Sequence, residues 1–207
     1  MNTRAKIFLV DDDAAVRNSL VMLLEAAGHT VVAFSGGEDF LDACTPAIRG
    51  CIILDVKMPG MDGPTLQEEL TRRGFLLPVL FLSGYGTIPV TVRAIKAGAI
   101  NFLTKPVDGA VLLTHVREAL KQDMLLQKKA QTQQSLSSRL AALTEREREI
   151  MALAVAGYTN KEIALRLVIS HRTVEIHRAR ILQKTGASNL LELARISGML
   201  DSLQKTR

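Results

Sequence analysis

The 207-residue sequence contains no tryptophan and two cysteines, and aromatic residues make up 4% of it. So few aromatic side chains argue against a surface on which single-stranded nucleic acid bases stack. Cys44 and Cys51 match no metal-ligand spacing, so we expect them to be small buried apolar residues. The composition therefore supports neither a stacking platform nor a cysteine-ligated metal site.

Long apolar runs are also missing from the sequence. No run approaches the roughly 18 residues that a membrane-spanning helix needs, so no membrane partner is expected. The apolar segment at 6–10 is too short for the core of a signal peptide and runs directly into acidic residues. We therefore expect a cytoplasmic protein.

Charge is distributed unevenly along the chain, which has 26 basic and 21 acidic residues in total. Residues 1–122 carry 12 Lys and Arg against 13 Asp and Glu, a net charge of −1. Residues 123–207 carry 14 against 8, a net charge of +6. The basic part predicts a polyanionic partner, with a merely solvated basic tail as the alternative.

Short apolar runs and amphipathic stretches alternate over the first 121 residues. The runs predict strands, and the period of 3.6 residues between them predicts helices. This alternation indicates an α/β domain with a parallel sheet and helices on both faces. The predicted strands are 6–10, 30–34, 51–55, 77–82 and 100–103, and the predicted helices are 14–27, 37–44, 64–73, 88–98 and 108–121.

A polar segment separates this part from a wholly helical one. Residues 123–140, rich in Gln, Lys and Ser, are expected to form a linker or the frayed continuation of a helix. Beyond them, Thr144 and Glu147 form the pattern of a capping box. We predict an α/β domain over 1–122 and a small all-α domain over 141–207. The predicted helices of the second domain are 145–156, 160–168, 171–184 and 189–200.

Polar side chains follow four of the predicted strands, at the edge where parallel sheets form their sites. Asp11, Asp12 and Asp13 follow the first strand, Asp55 ends the third, Ser83 ends the fourth and Lys105 follows the fifth. Clustered carboxylates repel one another and need a cation, and hard oxygen ligands suit Mg²⁺. A carboxylate beside a cation, an ammonium and a hydroxyl is the set that an aspartyl phosphate requires. Each residue taken alone has an alternative explanation. The aspartate run would cap the following helix, and Lys105 would be a surface residue.

The segments FLVDDDAAVR, IILDVKMPGMDG, LFLSGYG and AGAINFLTKPV resemble the receiver domain of two-component response regulators. The resemblance covers about residues 5–122 and implies a flavodoxin-like (βα)5 fold with a five-stranded parallel sheet. It implies that Asp55 is the phosphoacceptor and that Asp11 and Asp12 hold Mg²⁺, with Mn²⁺ as an alternative ion. The Asp55 side chain and the backbone carbonyl of Lys57 would complete the protein ligands of the metal.

The same resemblance implies a set of switch residues. Ser83 stands at the position of the hydroxyl that contacts the phosphoryl group, and Lys105 at that of the family's lysine. Phe102 stands at the aromatic switch position, with an ordinary core phenylalanine as the alternative. A cis peptide bond between Lys105 and Pro106 is also implied, and Tyr85 stands beside the phosphoryl position.

The helices predicted at 160–168 and 171–184 form a helix-turn-helix candidate. On the second helix, short side chains ringed by arginine suit a major groove, where the flanks contact phosphates and the centre reads base edges. Glu175 is placed to accept a hydrogen bond from a cytosine amino group, with a solvated helix charge as the alternative. Ile176 belongs either to this face or to the core. The predicted DNA-contacting residues are Lys161, Arg172, Thr173, Glu175, Ile176, Arg178 and Arg180.

The segments LTERERE, NKEIA and RTVEIHRARI resemble the LuxR-type helix-turn-helix domain over about residues 141–200. Joined to a receiver, this domain is similar to the NarL/FixJ class of response regulators, especially its branch of nitrogen-fixation regulators. The resemblance implies a small four-helix domain that binds double-stranded promoter DNA.

We therefore predict a transcription factor controlled by phosphorylation. A sensor histidine kinase would donate the phosphoryl group to Asp55, and the modified protein would bind promoter DNA as a homodimer, with RNA polymerase as a further partner. No enzymatic activity beyond slow self-dephosphorylation is expected. Two alternatives remain: a phosphatase with Asp55 as its nucleophile, and a constitutive DNA binder whose receiver serves only as a dimer module.

Overall fold

The structure, a computed structural model, describes residues 5–84 and 88–204. The chain divides into two compact units, Met1–Gln127 and Lys128–Arg207. Within the described residues, no helix has the length and the apolar character that crossing a bilayer requires.

The first unit contains a five-stranded parallel sheet in the order β2-β1-β3-β4-β5. Strands and helices alternate along the chain, which confirms the predicted flavodoxin-like α/β fold. The strands are β1 Lys6–Val10, β2 Val31–Phe34, β3 Gly50–Asp55, β4 Val79–Ser83 and β5 Asn101–Thr104. The helices are α1 Ala14–Ala26, α2 Gly37–Ala43, α3 Gly63–Arg72 and α4 Ile88–Lys96, followed by α5 Gly109–Ala141, which begins in this unit and ends beyond it.

The central strands are apolar at nearly every position because both of their faces are covered. Successive side chains point to opposite faces, so Phe8 and Ile52 lie in one core cluster and Leu9 and Ile53 in the other. The edge strands β2 and β5 are mostly half-buried. Burial is therefore deepest at β1, β3 and β4, the strands that lead to Asp11, Asp55 and Ser83.

Strand β3 begins at Gly50, one residue earlier than predicted. Gly50 has a φ of +133°, and a Cβ atom there would lie 1.7 Å from the carbonyl oxygen of Lys6, so the position requires glycine. Cys51 is fully buried as expected, and burial raises the pKa of its thiol to about 12. Cys44 is half-buried, less than expected.

Helix α5 continues through residues 123–140 and ends at Ala141. Asp123 on this helix is fully buried, and its Oδ2 lies 3.0 Å from Nη2 of Arg49. Farther along, Leu136 and Leu140 pack against the core of the second unit. The polar segment is thus helical, and side chains near both of its ends take part in packing.

In the second unit, the apolar sides of the helices meet in one core, which confirms the predicted all-α domain. Ile163, Val174 and Ile181 are buried there. Between the two helices of the helix-turn-helix, Val168 adopts a left-handed conformation with a φ of +53°, and Ser170 caps the second of them. The described helices of this unit are α6 Glu145–Val155, α7 Asn160–Leu167, α8 His171–Thr185 and α9 Leu190–Gln204.

The predicted capping box is present at the start of α6. The backbone N of Thr144 donates to Oε2 of Glu147 at 2.8 Å, and the backbone N of Glu147 donates to Oγ1 of Thr144 at 3.3 Å. Nζ of Lys184 on α8 lies 2.7 Å from the same carboxylate oxygen. Hydrogen bonds from Lys184 and Thr144 lower the pKa of the Glu147 carboxyl to about 2.

We expect Asp123→Asn to destabilise the first unit by about 3 kcal/mol, because the mostly buried Arg49 would lose its counter-charge. Chemical denaturation with hydrogen exchange in β3 measures the loss. The control is Glu68→Gln, which removes one partner of the exposed ion pair with Arg93 and should cost far less. Equal losses for the two variants would contradict the role of Asp123 as a buried anchor.

The lowered pKa of Glu147 predicts that the second unit loses stability in acid. A carboxylate whose folded pKa lies below its ordinary 4.5 stabilises the fold above that pH, and this contribution disappears as the pH falls toward 2. The stability difference between wild type and Glu147→Gln should be complete at about pH 6 and shrink below about pH 4.5. Hydrogen exchange in α6 measures it, with Glu149→Gln as the exposed control. A difference that does not change with pH would show that the Glu147 contacts are not electrostatic.

Candidate functional site

Asp11 and Asp55 lie side by side at the carboxyl edge of the sheet because their strands are neighbours. Val10 of β1 is paired with Leu54 of β3, and the two aspartates are the residues that follow them. Asp11 is 1% exposed and Asp55 is 7% exposed, whereas Asp12 is exposed. One carboxylate oxygen from each of the three lies within 4.8 Å of the others. The structure thus brings together the three predicted acidic residues.

Lys105 reaches this cluster from the position directly after β5. Its Nζ lies 2.6 Å from Oδ2 of Asp11 and 2.9 Å from Oδ1 of Asp55. Its backbone N donates to the carbonyl of Ser83 at 2.8 Å, and the Lys105–Pro106 peptide bond is cis, as the receiver resemblance implied. One ammonium group therefore contacts both buried carboxylates.

Burial and charge act in opposite directions on this pair. Burial raises the pKa of the Asp55 carboxyl, and the hydrogen bond and charge of Lys105 offset this only in part. Burial also disfavours the Lys105 ammonium, but its hydrogen bonds to Asp11 and Asp55, with their charges, prevail and raise its pKa. Lys105 is therefore held in its charged form beside Asp55.

Asp13, the third aspartate of the run, has a different role. Its Oδ1 accepts from the backbone N of Ala15 at 2.8 Å and of Val16 at 3.2 Å, so it caps α1. The hydrogen bonds from Val16 and Ala15 lower the pKa of its carboxyl. Helix capping, the alternative for the aspartate run, therefore applies to Asp13, whereas Asp11 faces the cluster.

The loop after β3 is built around Gly63. Its backbone N donates to the carbonyl of Val56 at 3.0 Å. A Cβ atom at Gly63 would lie 2.2 Å from the carbonyl oxygen of Asp55 and 2.9 Å from the Phe81 ring. The backbone N of Lys57 donates to Oδ2 of Asp55 at 3.2 Å, and Lys57 is exposed. We did not single out Gly63 from the sequence, although it lies in the segment that resembles a receiver.

Arg17 on α1 also supports the cluster. Its Nη1 donates to the backbone carbonyl of Asp11 at 2.6 Å, which helps to hold the chain as it leaves β1. Arg17 is not predictable from the sequence as a site residue, because one arginine in an amphipathic helix has the same pattern as a solvated helix charge.

Ser83 and Phe102 occupy different surroundings. Ser83 is buried at the end of β4, and β4 is paired with β3 as far as Asp55. Phe102 is half-buried in β5, and its ring stacks on Phe81 with the centroids 6.0 Å apart. Ser83 thus ends beside the acidic cluster, whereas Phe102 packs in the adjoining apolar cluster. Tyr85 lies outside the described residues.

Most of the predicted DNA-contacting residues are open to solvent. Lys161 on α7 is exposed, as are Arg172 and Arg180 on α8. Ile176 is 41% exposed, so it belongs to the outer face of α8 and not to the core. Glu175 is half-buried and accepts from Nη1 of Arg172 at 3.2 Å.

Two other predicted DNA contacts also hold the helix-turn-helix together. Arg178 is half-buried, and its Nη1 donates to Oδ1 of Asn160 at the start of α7. The backbone N of Thr173 donates to Oγ of Ser170 at 3.0 Å, and the two hydroxyl groups lie 2.7 Å apart. Arg178 therefore links α8 to the start of α7, whereas Thr173 supports the N-cap of its own helix.

The acidic cluster fits a hard divalent cation. Its donors are all carboxylate oxygens, the ligand type that Mg²⁺ and Mn²⁺ prefer. The exposure of Asp12 leaves one side of the cluster open to water, which Mg²⁺ usually retains in its coordination shell. Asp11, Asp12 and Asp55 are thus suited to bind such an ion together.

Comparison with known proteins identifies both units. Residues 7–117 match the family model of the response regulator receiver domain, and residues 141–197 match the model of bacterial regulatory proteins of the luxR family. The chain belongs to the response regulators. It is a two-component response regulator and transcriptional regulator, in which a receiver is joined to a LuxR-type DNA-binding domain.

This response regulator is similar to several curated proteins along most of its length. It is 39% identical over 204 residues to the transcriptional regulatory protein FixJ of Bradyrhizobium diazoefficiens, covering 97% of this chain and 100% of that protein. It is 43% identical over 187 residues to the transcriptional regulatory protein TdiR of Thauera aromatica, covering 90% and 82%. The similarity to FixJ confirms the predicted membership of the NarL/FixJ class.

Solved structures of response regulators agree with this result. The response regulator StyR has 38% sequence identity and a TM-score of 0.86, covering 95% of this chain and 100% of that one. Full-length FixJ from B. japonicum also has 38% identity, with a TM-score of 0.58 and coverage of 95% and 97%.

Proposed function

We propose that this response regulator accepts a phosphoryl group on Asp55 from the phosphohistidine of a sensor histidine kinase. The observation that carries the proposal is the 2.9 Å contact between Oδ1 of Asp55 and Nζ of Lys105, beside Asp11 and Asp12. A nucleophilic carboxylate with an ammonium group and a cation site next to it is the set that forms an aspartyl phosphate.

In the proposed transfer, a carboxylate oxygen of Asp55 bonds to phosphorus as the bond between phosphorus and the histidine nitrogen breaks. The electron pair of that bond returns to the imidazole. Asp55 reacts as its carboxylate, because the charged form is the nucleophile. Lys105 then contacts a phosphoryl oxygen, because the added negative charge attracts its ammonium more strongly. The Ser83 hydroxyl donates to another phosphoryl oxygen.

Asp11, Asp12 and Asp55, with the backbone carbonyl of Lys57, are proposed to hold Mg²⁺, with Mn²⁺ as an alternative ion. The bound ion supplies positive charge for the phosphoryl oxygens. Without a cation, the carboxylates of Asp11 and Asp12 would repel an incoming phosphoryl group.

Phe102 is proposed to change position once Ser83 turns toward the phosphoryl group. The strands of Ser83 and Phe102 are neighbours, and the stacked Phe81 and Phe102 rings join them in the apolar cluster. The resulting change in the face formed by residues 88–121 would free the DNA-binding domain or promote a homodimer.

We assign the phosphoacceptor role to residues 1–122, the linker to 123–140 and DNA binding to 141–207. The two family matches, 7–117 and 141–197, support this division because each lies inside one of the assigned domains.

A dimer would place two α8 helices in successive major grooves of double-stranded promoter DNA. Exposed arginines on the flanks suit phosphates, and the shorter side chains between them suit base edges. RNA polymerase is the expected further partner. We propose that the protein acts in the cytoplasm. The proposed phosphate contacts are Lys161, Arg172, Arg178 and Arg180, and the proposed base contacts are Thr173, Glu175 and Ile176.

We propose no enzymatic turnover of outside substrates. FixJ and TdiR are transcriptional regulators by name, and this favours regulation over catalysis. Two residues after Asp55, where a phosphatase needs a general acid, this chain has Lys57. Slow self-dephosphorylation is the only hydrolysis that we expect.

With acetyl phosphate and Mg²⁺, we expect wild type to be labelled and Asp55→Asn to show no label above background, because the nucleophile is lost. Intact-protein mass spectrometry measures the label. The matched control is Asp13→Asn, which changes a helix cap outside the cluster and should be labelled like wild type. Full labelling of Asp55→Asn would refute the assignment of the phosphoacceptor.

The same treatment should raise the affinity of wild type for promoter DNA by about tenfold, but not that of Asp55→Asn. Footprinting on upstream DNA measures this response. Equal affinities with and without label would instead favour a constitutive DNA binder.

DNA affinity should fall steeply with salt, and Arg180→Ala should reduce the slope of log affinity against log salt by about 1, because one phosphate contact is lost. Filter binding or fluorescence anisotropy over a salt series measures the slope. Arg72→Ala removes an exposed charge of α3 in the first unit, outside the face of residues 88–121, and should leave the slope unchanged. An unchanged slope in Arg180→Ala would remove this residue from the phosphate contacts.

A further inference from the structure

Gln67, in the middle of α3, is a polar side chain that is only 2% exposed. Its Nε2 donates to the backbone carbonyls of Ala94 and Ala97, at 3.2 Å and 3.1 Å. Both carbonyls lie at the carboxyl end of α4, where backbone acceptors lack partners in a following turn. A side chain of α3 therefore caps the end of α4.

The carboxyl end of α4 leads directly into β5. Gly98 has a φ of +92°, and the backbone N of Ala99 donates back to the carbonyl of Ala94 at 3.0 Å, the pattern of a Schellman turn. Gln67 thus donates to the same carbonyl that closes this turn. The position of this turn determines where β5, the strand that carries Phe102, enters the sheet.

Packing supports this contact from both sides. Ala94 is fully buried in the same apolar cluster as Leu66, the neighbour of Gln67 on α3. Glu68 and Arg93 add an ion pair with 2.6 Å between Oε1 and Nη2, but both side chains are more than half exposed. Such an exposed pair contributes little, so the amide of Gln67 is the main polar link between α3 and α4 among the described residues.

The amide of Gln67 is costly to bury. Within the described part of the chain, its Oε1 has no hydrogen-bond partner, and a buried acceptor in that state lowers stability. An apolar side chain of equal length would avoid this cost but would make no hydrogen bond to α4. The amide therefore serves to fix the position of α4 more than to stabilise the apolar core.

We infer that Gln67 is a positioning residue of the receiver switch, which holds the carboxyl end of α4 on α3 both before and after phosphorylation. Helix α3 follows the loop that begins at Asp55, and α4 comes after the strand that ends at Ser83. The Gln67 contact thus joins the two helices whose preceding strands end in the site. With its carboxyl end held, α4 turns about that end when Ser83 changes position. The inference rests on the proposed function of Asp55.

The variant Gln67→Met in the full chain tests this inference, because methionine keeps the length of the side chain and removes both donors. Acetyl phosphate should label it within about twofold of wild type, since Gln67 makes no contact with the carboxylate cluster. The phosphorylation-dependent gain in DNA affinity should fall by about fivefold. Hydrogen exchange of the amides at 97–99 should become about tenfold faster.

Glu68→Gln is the matched control and should behave like wild type in all three measurements. A full gain in DNA affinity in Gln67→Met would overturn the inference. Failure of wild type to take up label or to gain affinity would overturn the proposed function instead, so the two failures are distinguishable.

A measurement on wild type does not depend on whether Gln67→Met folds. The side-chain amide protons of Gln67 should exchange slowly with solvent, both with and without acetyl phosphate and Mg²⁺. Fast exchange in either state would show that the contact is not maintained and would overturn the inference.

Discussion

The ammonium of Lys105 contacts two buried carboxylates that come from other strands, and the arrangement of the first unit depends on this contact. Asp11 follows β1 and Asp55 ends the adjacent strand β3, but β4 lies between β3 and β5, so Lys105 starts about 10 Å from Asp55. The hydrogen bond from its backbone N to Ser83 directs the chain across the end of β4. Only then can one side chain reach both carboxylates.

The same edge shows why a buried strand ends in a carboxylate. Strand β3 is covered on both faces, so Asp55 is held rigidly and is largely removed from water. Burial makes its charge costly, and Lys105 compensates for part of that cost. Gly63 lets α3 begin against the Asp55 backbone, so the helix that carries Gln67 starts directly at the site. A change in charge at Asp55 therefore occurs directly beside the start of α3.

The second unit combines its apolar core with polar contacts at the ends of its helices. Glu147 caps α6 and also accepts from Lys184 of α8, so one carboxylate joins two helices. Arg178 of α8 donates to Asn160 at the start of α7, and Thr173 supports the Ser170 cap of its own helix. Arg178, one of the side chains proposed for DNA contact, therefore also orients the helix that presents it.

The sequence by itself determined the order of strands and helices, because burial on both faces requires the apolar runs that are visible in the text. It also grouped Asp11 with Asp55 and Lys105, since parallel strands end at one edge of a sheet. Only the tertiary structure showed that Asp13 caps α1, because the backbone direction after β1 separates it from its neighbours. Long-range pairs were likewise decided by packing: Asp123 lies 74 positions from Arg49, and Gln67 lies 27 positions from the Ala94 carbonyl. No local pattern encodes such contacts, since each depends on how two distant elements are brought together.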